Sequence, residues 1–104
     1  MTVGAWLHER TPAPPDRLLR SIEIALGDRL AASRADVSDH CVDVAVCLLR
    51  DLLTRPTAGR DSALDLLTVD ALVTYAFEAA AAEPASLDAR ARAAARRLAA
   101  VTNE

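Results

Sequence analysis

The sequence predicts an all-α fold, a compact bundle of four helices behind a short N-terminal arm, with the third helix at the centre. Three observations carry that expectation. Apolar residues recur at helical spacing over four separate stretches, each bounded by proline, glycine or a short polar side chain. The chain holds 23 Ala and 15 Leu but one Phe, one Trp and one Tyr, so its core must be built from small and aliphatic side chains, which favour close helix approach. The segment from Arg60 to Glu83 is apolar over most of its circumference, and a helix of that kind needs neighbours on several sides. At 104 residues there is room for one domain, burying roughly two thirds of the surface its unfolded chain exposes. We divide it into an arm, residues 1–15, and a helical-bundle domain, residues 16–104.

In the arm, MTVGAWLHERTPAPP, a short helical turn can form around Val3 to Glu9. Thr11 to Pro15 cannot extend it, because residues before proline are driven to extended conformations. Trp6 and Leu7 either fold back to cap the core or insert into a partner. The first helix begins at Pro15, which suits a first turn, with Asp16 at the positive end of the dipole. Leu18, Leu19, Ile22, Ala25, Leu26 and Leu30 share its inner face. Ile24 points the other way, among Arg17, Arg20 and Asp28, and is a candidate contact for a partner. Gly27 ends or weakens this helix, with the boundary between Leu26 and Ala32.

Ser33 to Ser38 reads as a polar connector, with Ser38 placed to cap the second helix and Val37 and Val42 to staple it. The core face is Cys41, Val42, Ala45, Leu48, Leu49, Leu52 and Leu53, up to Thr54 ahead of Pro56. After an RPTAGRD loop comes the third helix. Leu66, Val69, Val73, Phe77 and Ala80 form one apolar stripe, Leu64, Ala71, Tyr75 and Ala82 an opposite one, and Leu72, Ala76 and Ala79 the flank between them. Only Asp70, Thr74 and Glu78 make a polar strip. Ser86 is placed to cap the last helix, whose seam is Leu87, Ala91, Ala94, Leu98 and Val101. A short link folds it back antiparallel on the third, which is expected to pair Glu78 with Arg90 or Arg92 and Asp70 with Arg97. TVDALVTYAFE, residues 68–78, is loosely similar to a helix of trans-isoprenyl diphosphate synthases that carries Asp-Ala-Leu before Ala-Phe-Glu. That family's DDxxD motifs are absent, so the resemblance implies no activity here.

The totals argue against several functions. A net charge of −3 and a pI near 5.3 provide no electrostatic footprint for nucleic acid. The first thirty residues lack a basic start followed by a signal-length apolar run, so the chain reads as cytoplasmic. In a membrane Asp65, Asp70 and Glu78 would each cost roughly 3 kcal/mol, so no membrane association is expected. Cys41 and Cys47 stand about 9 Å apart along one helix, too far for a disulfide, and form no CxxC motif.

His40, Asp43, Cys47 and Asp51 share the outer face of the second helix and are metal-ligating types. Spread over about 16 Å, they could offer one ion at most two ligands, and the face reads as solvated with a half-exposed thiol. Asp65, Asp70 and Glu78 lack the Glu-x-x-His partners of carboxylate-bridged metal bundles. No nucleophile elbow or glycine-rich phosphate loop is present. We therefore expect no enzyme, metal or cofactor. The favoured reading is a small protein-interaction module, self-associating as a homodimer or serving as an accessory subunit, with Trp6, Leu7, Ile24, Arg92 and Arg96 as candidate contacts. The alternatives are a metal- or ligand-binding protein using His40 and Cys47, and a nucleic-acid-contacting regulator using the helix from Arg90 to Arg97.

Overall fold

The computed structural model describes residues 1–55 and 59–103 and, of Asp61, the backbone. Five α-helices lie within them: α1 (Val3–His8), α2 (Asp16–Leu26), α3 (Val37–Thr54), α4 (Arg60–Ala81) and α5 (Pro84–Thr102). Short 3-10 turns, Gly27–Ala31 and Arg34–Asp36, join α2 to α3. The expected all-α bundle is what the chain forms, and the helix expected at the centre, α4, packs against α2, α3 and α5. The radius of gyration, 13.5 Å, is close to the roughly 13 Å of a compact domain this size.

The arm is stitched to the bundle by its backbone. Val3 N–H donates to Ala32 O at 2.9 Å and Arg34 N–H to Met1 O at 3.0 Å, and Thr2 Oγ1 caps α1 by accepting from Ala5 N–H at 3.1 Å. Gly4 lets the two segments approach closely: a Cβ there would lie 3.3 Å from Leu30 O, a tight contact. Val3, Trp6 and Leu7 consequently enter the core, 1%, 6% and 3% exposed. The indole meets Tyr75 edge-on, centroids 5.9 Å apart, and the Arg10 guanidinium lies 3.7 Å over the Trp6 ring. Of the two readings for Trp6 and Leu7, the structure has the one in which they cap their own core.

Gly27 ends α2 with φ +53°, a conformation glycine adopts without strain. Ile22 and Leu26 are buried and Ile24 is exposed, as expected. At the start of α3 the expectation fails. The 3-10 turn is capped by Ser33, which accepts from Ala35 N–H, and the helix begins at Val37. Ser38 is therefore one residue inside it and donates its hydroxyl to Ala76 O at 2.9 Å, in the buried seam with α4. Val44 and Val46 are buried beside Cys41, Val42 and Ala45, whereas Leu53 is 56% exposed. The helix stops at Thr54, and Arg55 is extended. Residues 56–58 of the expected RPTAGRD loop lie outside the described residues.

On α4 the flank goes deepest: Leu72 is 0% and Ala76 1% exposed where α3 crosses. Thr68 is also fully buried; its hydroxyl donates to Leu64 O and accepts from Ser21, both at 2.8 Å. The first stripe splits. Val69 and Ala80 are buried, but Leu66 and Phe77 reach solvent together with Leu67, so α4 is not covered on every side.

The α5 seam is correct in that none of its five residues is exposed. Its start is not: Pro84 occupies the first turn, and Ser86 donates to Glu83 O. The pairing expected between α4 and α5 is also overturned. Arg10 of the arm takes Glu78, while Arg90 and Arg97 reach Asp39 and Asp43 on α3 at 3.5 and 2.7 Å. Those two arginines lie on the side of α5 turned to α3, away from the acids of α4.

Candidate interaction groove

The face of α4 left open by this packing forms one wall of a groove of about 920 Å³ against α5. Leu49, Val69, Val73 and Leu98 make its floor, with Leu66, Leu67 and Asp70 on the α4 side and Ala99 and Thr102 on the α5 side. The cause lies in side-chain size. Beside Leu98, the α5 residues that line the groove, Ala99 and Thr102, are short, and Leu66 and Leu67 remain 57% and 55% exposed. Phe77, 37% exposed, extends the same apolar strip toward the turn. Isolated exposed leucines are ordinary; a contiguous apolar concavity is not.

Asp70 is, among the described residues, the one carboxylate lining the groove. Among the described residues no cation pairs with it. Two other acids of α4 are engaged, Asp65 with Arg55 at 2.6 Å and Glu78 with Arg10.

The outer face of α3 carries a charge network. Asp43 accepts from Arg97 at 2.7 Å and from Arg29 at 3.2 Å, and Arg29 also lies 3.0 Å from His40 Nδ1. Partial burial pushes the Asp43 carboxyl up, but the two guanidiniums outweigh it and hold the group below the ordinary aspartate range. Asp51 pairs with Arg55. His40 and Asp43 thus share cationic neighbours, Cys47 stands exposed between the two ion-pair clusters, and no group of three potential metal ligands occurs among the described residues. Cys41 is buried, and burial pushes its thiol up to about 12. A thiol-alkylating reagent at pH 8 is expected to add one label to the native protein, at Cys47, and a second only after denaturation. Intact-mass measurement decides this, and two labels on native protein would contradict the packing of Cys41.

A second cavity, about 330 Å³, lies at the other end of α4 beside Trp6, Arg34 and Arg90. Its cations are already partnered, Arg34 by Glu9 at 2.6 Å and Arg90 by Glu83 and Asp39 at 3.5 Å each. On the basic face of α5, Arg92 pairs with Asp88 at 3.1 Å, and Arg96 projects into solvent.

Of the residues singled out in the sequence, Ile24 lies on the surface of α2, Arg92 and Arg96 lie one turn apart on the surface of α5, and Trp6 and Leu7 are internal. Sequence reasoning missed the groove. One signal was available: Leu66 and Leu67 are adjacent and stand 100° apart on the helix, which widens the apolar arc of α4. Among the described residues no helix is long and apolar enough to cross a membrane. Comparison with protein-family models, with curated proteins and with solved structures finds no match to this chain.

Proposed function

We propose that this chain is a non-enzymatic protein-interaction module whose binding surface is the groove between α4 and α5. The observation that carries this is the pair Leu66 and Leu67, more than half exposed at the edge of an apolar concavity. Burying one leucine is worth roughly 2 kcal/mol, so a partner that covers both gains several kcal/mol that the isolated chain forgoes. Apolar anchors surrounded by a polar rim are the usual centre of a protein interface. The polar side chains elsewhere support the same reading, since His40, Asp43, Asp65, Glu78 and Arg90 are spent on one another or on neighbouring arginines and acids. A cytoplasmic setting suits a chain with one exposed and one buried free thiol.

The test compares the wild-type chain with Leu66→Asp/Leu67→Asp, both recovered from the native cell. A second, differently tagged copy of the chain is supplied in the same cell, so that self-pairing is counted. Circular dichroism is expected to show both proteins folded, because both positions are exposed. The variant is expected to lose a bound protein, self or other, that the wild type retains, its affinity falling at least about tenfold. An identical set of bound proteins on the two chains removes the groove from consideration.

A further inference from the structure

We propose that Arg29, His40 and Asp43 form a proton-operated latch on the segment that joins α2 to α3: neutral His40 holds the Arg29 guanidinium, and a protonated His40 drives it off and takes Asp43 in its place. The observation that carries this is one nitrogen with two partners. Nη1 of Arg29 lies 3.0 Å from His40 Nδ1 and donates to Asp43 Oδ2 at 3.2 Å. A guanidinium stays charged and has no lone pair to offer, so across the contact with His40 it can only donate. Nδ1 must then accept. The imidazole is therefore neutral with its proton on Nε2, a tautomer selected by the arginine.

Adding a proton to Nδ1 reverses the contact. An N–H would then face an N–H, and two like charges would meet where atoms 3.0 Å apart had shared a hydrogen bond. His40 and Asp43 are three residues apart on α3, and residues so spaced are neighbours on one helical face, so the imidazolium has a carboxylate beside it. Asp43 remains ionised for this role, because Arg97 and Arg29 hold its carboxyl below the ordinary aspartate range. Its Oδ1 stays with Arg97 of α5 at 2.7 Å. What the proton exchanges is the partner of Oδ2.

The charged groups that meet at His40 come from three elements: Arg29 from the 3-10 turn, Asp43 from its own helix, and Arg97 from α5, which reaches it through Asp43. Asp39, next to His40 in the chain, is turned to Arg90. Asp36 stands one turn earlier, and Asp28 adjoins Arg29. Asp43 favours the charged ring and Arg29 the neutral one, so the cluster has two arrangements, each with its own partner for the carboxylate.

The latch bears on the anchor of the arm. Arg29 belongs to the 3-10 turn Gly27–Ala31, in which Leu30 lies against Gly4 and after which Ala32 accepts from Val3 N–H at 2.9 Å. Freeing Arg29 removes a polar tie between this turn and α3. The seat of the arm then loosens as the pH falls through the range in which histidines change charge, roughly pH 8 to 5.

Nuclear magnetic resonance on the full chain tests this in two steps. At about pH 7.5, long-range proton–nitrogen correlation is expected to show His40 as the neutral Nε2–H tautomer, a measurement that needs no variant. Amide hydrogen exchange then compares the wild type with His40→Gln, whose side-chain oxygen can accept from Arg29 but takes up no proton. His40 is half-buried, and circular dichroism is expected to show the variant folded. Between about pH 7.5 and 5, the protection of the Val3 amide, relative to its rate in an unstructured chain, is expected to fall about fivefold further in the wild type than in the variant. His8 lies 3.7 Å from Glu23 in α2 and is present in both chains, so its own titration cancels. An Nδ1–H tautomer or an imidazolium at the higher pH overturns the proposal. So does a loss of Val3 protection that is the same in the two chains.

Discussion

Replacing Trp6 by alanine is expected to lower the free energy of unfolding by about 4 kcal/mol and the melting temperature by roughly 20 °C. The indole is 6% exposed, so most of its surface is lost to a cavity that helices on either side cannot close without moving. Its edge contact with Tyr75, at 5.9 Å and 82°, is of a geometry worth about 1 kcal/mol beyond area. The Arg10 guanidinium over its face adds a cation–π term of similar size. Arg10 in turn donates to Trp6 O at 3.1 Å and pairs with Glu78 on α4, so the ring also positions an arm residue that forms an ion pair with the central helix. Trp6→Phe keeps an aromatic edge for Tyr75 and is expected to cost no more than about 2 kcal/mol. Urea unfolding followed by circular dichroism measures both. A loss under about 1 kcal/mol for Trp6→Ala would mean that residues 1–15 do not belong to the cooperative unit.

How far the chain could be read ahead of its structure follows from what periodicity encodes. Helix positions were legible because Pro15, Pro56 and Pro84 punctuate strong apolar repeats, and these physical stops act locally. The α5 seam was legible too, since a single narrow stripe can face only one way. For α4 the same reasoning had nothing to choose between, because two stripes and a flank were all apolar, and which of them is deepest depends on where α3 crosses. The ion pairs failed for a related reason. A sequence shows that Glu78 and Arg90 lie on facing helices, but not that Arg10 arrives first from an arm folded back across α4. Capping failed at Ser38 because Ser33 offers an equally good hydroxyl five residues earlier and a 3-10 turn bridges the gap. The groove is the product of these non-local facts: α5 brings the short Ala99 and Thr102 beside Leu98 to one part of α4 while α3 covers another.

Leu72→Ala is expected to destabilise the protein by about 3 kcal/mol, while Leu66→Ala, six residues earlier on the same helix, is expected to cost less than about 1 kcal/mol. Leu72 is 0% exposed and lies in the α3–α4 contact, where deleting three carbons forfeits their burial and leaves a void. Leu66 is 57% exposed; alanine there gives up little packing and is the better helix former. Thermal unfolding of the two variants, on one preparation and at a concentration low enough to keep the chains apart, measures the difference. Equal losses would place Leu66 in the core and close the groove. The expected inequality has a meaning beyond stability: a leucine whose removal costs the isolated chain almost nothing has its apolar surface free to contribute to binding. A combined readout makes the point sharper, because Leu66→Ala should weaken association while leaving unfolding of the separate chain nearly unchanged, and Leu72→Ala should do the reverse. Separating the two effects on one helix is what distinguishes a central rod that is merely under-covered from one with a face reserved for a partner.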